Sequence, residues 1–274
     1  MKNFNLKSFK LFLPALLFPV IVSAQKLPKI QITSVAAPAD IKVDGKTTEW
    51  NNKFQAFNRT TEVFYTLSNS ATKLYFTVQS TERKIIRKLL SNGITLTIMA
   101  DPKQNKDGLA VTFPFYGKSE RPPYLNLRNP YETVKDTNRN NAMQDSVVTA
   151  YNAVLADRLK TIGVIGEPSI PDSTLSVYNT EGFKAVARFD KKLSYTYELA
   201  IPLSYIKFAA DKPGTFKYKI QVNGPPGEVR VVDDGRRMVY TAGDGSEVNI
   251  GYPGPDNLGF ANPTFFFGEY TLAK

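Results

Sequence analysis

Apolar and polar positions alternate with a period of two along much of the chain, the signature of half-buried β-strands. Val63-Phe64-Tyr65-Thr66-Leu67 and Leu74-Tyr75-Phe76-Thr77-Val78 are rich in β-branched and aromatic residues and flank a polar loop, which predicts a hairpin. Thr81 then reads as the N-cap of a short helix with Ile85, Ile86, Leu89 and Leu90 on one face and Asn92-Gly93 closing it. Alternation resumes over residues 93–98, and further strands are predicted over 111–116, 162–166, 183–189, 194–203, 216–222 and 265–272. Within 216–222 the residues Phe216, Tyr218, Ile220 and Val222 fall on one face. Met143, Val147, Val148, Tyr151, Val154, Leu155 and Leu159 recur instead at helical spacing and predict one amphipathic helix of about four or five turns.

Before the hairpin, Ile41 and Val43 alternate around Lys42 and predict a short strand, followed by the turn pair Asp44-Gly45. The sole tryptophan, Trp50, is expected in the core beside that turn, because its large apolar face favours burial. The polar lead of residues 25–38 carries Pro28 and Pro38 and a predicted edge strand at 29–33. Residues 117–141 and 223–263 break the pattern and read as loops, the second dense in Gly, Pro and Asp.

Ile41-x-Val43-Asp44-Gly45 through Glu49-Trp50, then 74–78, 93–98 and Tyr197-Glu198-Leu199-Ala200-Ile201-Pro202-Leu203, together resemble carbohydrate-binding module family 9 and its DOMON-like relatives over residues 39 to about 208. The resemblance implies a two-layer antiparallel β-sandwich, the class that the alternation reaches independently. The reading is therefore an all-β sandwich with a short helix, one longer inserted helix and long loops, a single domain over 39–274 with insertions at 117–161 and 223–263. In such a family Asp44, Gly45, Glu49 and Trp50 are structural. Glu198 lies on the face opposite Tyr197 and Leu199, and is expected to hold a neighbouring loop by hydrogen bonds, with cation or ligand contact as the alternative. Sugar-binding relatives clamp a terminal sugar between two tryptophans; with one Trp here, Tyr or Phe would have to substitute. The haem-binding branch uses Met and His ligands, and this chain has no His. Calcium occurs in some members and requires several hard oxygen ligands.

Composition narrows the chemistry further. Lys2, Lys7 and Lys10 precede an apolar run over residues 11–22, with Val22-Ser23-Ala24 before Gln25, so residues 1–24 read as a secretory signal peptide. That run is interrupted by Pro14 and Pro19 and is short of the roughly 20 residues a membrane anchor needs. A periplasmic or secreted protein with formal charge +7 is the expected product. With neither Cys nor His in the chain, disulfides, thiolate sites and imidazole catalysis are excluded, and any catalysis would fall to carboxylates, Lys, Tyr or a hard cation. Lys and Arg are scattered, without the aromatic-interleaved cluster expected of a nucleic-acid binder.

Two acid sets carry hard-cation chemistry: Asp101, Asn105 and Asp107, and Asp233, Asp234, Asp244 and Glu247. Neither matches an EF-hand, and Asp and Gly are also what turns require. Arg236 and Arg237 are placed to pair with these acids or to meet an anionic ligand. For sugar contact, Tyr116, Tyr124 and Tyr131 stand out, with Arg121, Asn126 and Arg128 between them, because aromatic faces beside amide and guanidinium donors suit a polyol. The functional expectation is a noncatalytic, carbohydrate-binding-like envelope module, its partner a carbohydrate or an envelope protein and calcium its one candidate cofactor. The alternatives are a structural or protein-interaction module that has lost sugar binding, and a carboxylate-dependent glycan-active enzyme.

Overall fold

A computed structural model of the chain describes residues 26–99, 108–117, 120–127, 137–209, 211–241 and 245–274. The predicted signal segment, residues 1–24, lies outside the described residues. In chain order the first elements are β1 (Ala56–Asn58), β2 (Val63–Asn69), β3 (Lys73–Ser80), α1 (Arg83–Asn92), β4 (Ile94–Met99) and β5 (Leu109–Phe113). Then come α2 (Thr137–Arg158), β6 (Thr161–Ile165), β7 (Thr174–Ser176), β8 (Lys184–Phe189), β9 (Tyr195–Pro202) and β10 (Thr215–Val222). The chain closes with β11 (Glu228–Val232), β12 (Arg237–Thr241), β13 (Glu247–Gly251), α3 (Pro255–Ala261) and β14 (Thr264–Thr271).

The protein is an all-β sandwich with few helices. One sheet runs β1-β2-β3-β9-β8 and the other β14-β10-β4-β5-β6-β7, with every strand pairing antiparallel. Their inner faces share one core that includes Leu67, Phe76, Val78, Leu96, Val111 and Ile220. Contacts between the sheets are direct: the Tyr65 ring on β2 lies 5.2 Å from Phe266 on β14, and Phe113 on β5 lies 5.8 Å from Tyr197 on β9. Each such side chain contributes about 1.5–3 kcal/mol by leaving water. Two core tyrosines satisfy their polar ends within the sandwich: the Tyr65 and Tyr218 hydroxyls meet across it at 3.0 Å, and Tyr65 accepts the Gln31 N–H at 2.8 Å, whereas the Tyr195 and Tyr197 hydroxyls have no partner among the described residues. The expected one-sided burial of 216–222 is observed, with Phe216, Tyr218, Ile220 and Val222 all buried.

Several local expectations are overturned, each for a tertiary reason. Residues 29–33 form no strand. Gln31 instead uses its side chain as a strand would use its backbone, donating from Nε2 to the Leu67 carbonyl (2.7 Å) and accepting the Leu67 N–H (2.7 Å). Residues 41–43 form no strand either; they lead into a strap on the outer face of the five-stranded sheet, held there by bonds to side chains of the sheet. Trp50 ends a short 3-10 turn in that strap, Thr48–Trp50, and is half-buried rather than a core residue. Helix α1 begins at Arg83, with Glu82 rather than Thr81 at its cap position and no side-chain cap.

The 223–263 segment is not a plain loop. It folds into the antiparallel meander β11-β12-β13 and the helix α3. Its Gly, Pro and Asp supply the turns, with Asp233 and Asp234 at positive φ between β11 and β12. The segment is tied to α1 by Lys88, which is buried and whose ammonium donates to the Gly259 carbonyl (2.8 Å) and the Asn262 carbonyl at the end of α3. Burial pushes this ammonium down to about 8, while the carbonyl dipoles at a helix C-terminus favour its charged form. Lys88→Met is expected to lower stability by about 1–3 kcal/mol and to speed proteolysis within 223–263. Unchanged cleavage rates in the substituted protein would argue against this tie.

Candidate functional site

Two regions gather the residues singled out in the sequence. The first is the strap over the five-stranded sheet. Strand register places Thr66, Thr77 and Glu198 in one row across β2, β3 and β9, on the face turned away from the core. All three are nonetheless buried. The strap supplies the cover: the N–H groups of Asp44 and Gly45 donate to Glu198 Oε2 at 2.9 and 2.8 Å, and the Gln55 N–H donates to Thr66 Oγ1 at 3.1 Å. Gly45 is required at that turn. It sits at φ 78°, and a Cβ there would fall 2.5 Å from the Cβ of Arg188 on β8. Burial pushes the Glu198 carboxyl up to about 7; the Gly45 and Asp44 N–H groups pull the other way, and the Glu49 and Asp44 carboxylates nearby push it further up. Trp50 Nε1 is buried without a hydrogen-bond partner among the described residues. The geometry of this region is that of a structural clasp.

The second region lies beside α2. Residues 120–127, which follow β5, lie beside both α1 and α2. Tyr116 is packed rather than presented: its hydroxyl donates to the Leu90 carbonyl at 2.6 Å, and burial holds it well above the usual phenol range. The Arg121 carbonyl accepts the Arg158 guanidinium at 2.9 Å, and the Asn126 carbonyl accepts the Tyr151 hydroxyl, so both backbone groups fasten the loop to α2. Leu127 is buried in the core. Tyr124, by contrast, is 93 % exposed. Arg128 and Tyr131 lie outside the described residues.

Helix α2 is fixed against the sheet edge by its other face. Leu155 and Leu159 are buried, the Tyr151 ring meets Phe189 edge-on at 5.8 Å, and the Asn152 amide bonds both the N–H and the carbonyl of Phe189 at 2.8 and 3.0 Å. That leaves Val154, Asp157 and Arg158 turned toward Pro122, Pro123 and Tyr124, and the two sides enclose an open cleft of about 500 Å³. A smaller cavity of about 120 Å³ lies on the other side of Pro123 and Tyr124, against Leu90 and Ser91 of α1 and Phe260 of α3. The aromatic ring, carboxylate and guanidinium at the cleft form a set able to stack on a sugar face and to hydrogen-bond its hydroxyls. Of the sugar-contact residues singled out in the sequence, the structure places Tyr124 at this cleft, sets Tyr116 into packing against α1, and leaves Arg121 and Asn126 exposed, with their backbone carbonyls bonded to α2. Asp157 and Arg158 were missed, since their helix is recognisable only by its apolar spacing, and of that apolar set Val154 alone lines the cleft.

The acidic sets divide similarly. Asp101, Asn105, Asp107 and Asp244 lie outside the described residues. Asp233 pairs with Arg237 at 2.7 Å, and Glu247 pairs with Arg230, so these carboxylates meet guanidinium groups within the meander. Among the described residues no group of three or more carboxylates converges as a cation site would require. Also among them, no helix is long and apolar enough to cross a membrane. Compared with known proteins, the chain matches no family model and no curated sequence.

Proposed function

We propose that the protein is an exported, noncatalytic glycan-recognition module of the cell envelope, with the cleft between Tyr124 and α2 as its sugar site. The observation that carries this reading is the exposed Tyr124 ring on the wall of a cleft of about 500 Å³ that also presents Asp157 and Arg158. A pyranose has apolar faces that stack on an aromatic ring and equatorial hydroxyls that bond charged groups beside it. The loop carrying Tyr124 is held to α2 through Arg121 and Asn126, which reduces the ordering that binding would otherwise require. Export rests on the N-terminal segment, and the family resemblance of the strap and strand motifs supports the sugar reading.

The test is glycan-array binding followed by affinity electrophoresis of the mature chain. Tyr124→Ala is expected to weaken binding about tenfold or more, and Tyr124→Phe to retain most of it, because the ring rather than the hydroxyl makes the platform. Asp157→Ala should weaken binding without altering the melting temperature, since Asp157 is exposed. Binding equal in the wild type and Tyr124→Ala, or release of reducing sugar from a bound glycan, would overturn the proposal.

A further inference from the structure

Among the described residues the last strand, β14, has a neighbour on one side only, β10. Which of its backbone groups face outward follows from two hydrogen bonds. The Leu272 N–H donates to the Gly214 carbonyl at 2.8 Å, making Gly214 and Leu272 a hydrogen-bonded pair next to the Thr215–Thr271 pair. Antiparallel pairs alternate, so Phe266, Gly268 and Tyr270 bond to β10, while Phe265, Phe267, Glu269 and Thr271 turn their N–H and carbonyl groups away from it. The Ser34 hydroxyl, which donates to the Thr271 carbonyl at 2.6 Å from that outer side, agrees with this phase. The outward run is thus bracketed, by Pro263 with no N–H at one end and by the covered Thr271 at the other. Its centre is Phe267.

The other edges of the two main sheets are short or partly covered. Strands β1 and β7 have three residues each, and the Phe57 N–H of β1 is taken by the Pro28 carbonyl. On β8 the Asn152 amide satisfies both backbone groups of Phe189. Strand β14 has eight residues, and no described residue pairs with the outward groups of Phe265, Phe267 or Glu269. Its outer face is aromatic: Phe265 is 47 % and Phe267 56 % exposed, with ring centroids 5.7 Å apart, and Lys219 Nζ stands 5.8 Å from the Phe265 centroid. Long, apolar, unblocked edges of this kind are templates for strand addition.

We propose that β14 pairs antiparallel with β14 of a second copy of this chain, about a two-fold axis at Phe267, joining the two six-stranded sheets into one. In that register Phe267 stands opposite Phe267 of the second copy and Phe265 opposite its Glu269, and all three outward pairs are of the hydrogen-bonded kind. The arrangement is complementary in charge as well. Each Glu269 crosses to a Phe265 ring that has the Lys219 ammonium beside it, and no like charges stand opposite each other. The exposed phenylalanines cover one another across the axis, removing apolar surface from water in both copies.

Sedimentation of the mature chain across a dilution series tests the proposal, with a concentration-dependent dimer expected. Phe267→Pro removes an outward N–H and leaves the β10 ladder whole, because Phe266 and Gly268 make the inward bonds. Phe267→Lys places two ammonium groups face to face at the axis. Either variant is expected to raise the dimer dissociation constant about tenfold or more with an unchanged circular dichroism spectrum. The chain contains no cysteine, so Phe267→Cys introduces a single thiol. Hydrogen-bonded antiparallel pairs have Cα atoms about 5.5 Å apart, within disulfide reach, and glutathione disulfide should link Phe267→Cys into a covalent dimer much faster than Lys192→Cys on an exposed turn. A monomer at every concentration, a dimer left intact in Phe267→Lys, or equal cross-linking of the two cysteine variants would overturn it.

Discussion

At pH 5, Glu198→Ala is expected to destabilise the protein by about 2–4 kcal/mol, because it strands the buried Gly45 N–H and the Asp44 N–H without an acceptor and frees the strap from the sheet. The size of the effect should depend on pH. The Glu198 carboxyl is pushed up to about 7 in the folded chain, above its ordinary value of 4.5. A raised carboxyl pKa means that the folded state holds the proton more tightly than the unfolded state. The stabilisation it brings is fully present below pH 4.5 and is lost as pH rises through about 7, a change of about 3 kcal/mol. Glu198→Ala should therefore cost less at pH 8 than at pH 5. Glu198→Gln keeps an oxygen for the two N–H groups and cannot ionise, so its stability relative to wild type should rise over the same interval. Urea unfolding of the three proteins at both pH values measures this, and a wild-type-to-Gln difference independent of pH would show that Glu198 does not titrate in this window.

Gln31→Ala is expected to produce the other large effect, a loss of about 2–4 kcal/mol. The Gln31 amide is buried at 3 % exposure and satisfies both backbone groups of Leu67, which no strand reaches because β1 pairs only with Val63–Tyr65. Its own N–H bonds the Tyr65 hydroxyl, which meets Tyr218 in the opposite sheet. Removing the amide leaves a buried N–H and carbonyl unpaired and loosens the lead from the sandwich. Faster hydrogen exchange at the Leu67 amide should accompany the loss. A change below about 0.5 kcal/mol, the range of an ordinary surface substitution, would mean that the lead contributes little.

Which loop Glu198 holds, and the part played by Gln31, also show where sequence reading reaches its limit. The alternation at 41–43 is real, yet it makes no strand, because the segment crosses the outside of a sheet whose neighbouring positions are already paired. The clasp that holds it joins Gly45 to Glu198 across the intervening strands, and no local pattern contains that pairing. Strands β1 and β7, of three residues each, are too short to show a period of two. The β11-β12-β13 meander was hidden by its own turn residues, whose density made the whole segment read as loop. At the candidate site, Tyr124 was visible as an aromatic residue in a long polar loop. Asp157 and Arg158 were not, because apolar spacing finds a helix without marking which of its polar residues meet a distant loop.

What the sequence determined by itself was the class of fold and the strands that build its core. The inward set of β10, Phe216, Tyr218, Ile220 and Val222, is a local property of consecutive residues and can be read without knowing the partner. The tertiary structure alone decided what lies against the other faces and edges. It places a strap over Glu198, a cleft between Tyr124 and α2, and open backbone along β14. The physical reason is that side-chain alternation records which face of a strand leaves water, whereas the occupant of an outer face or edge is set by segments distant in sequence, through backbone groups that every residue carries alike.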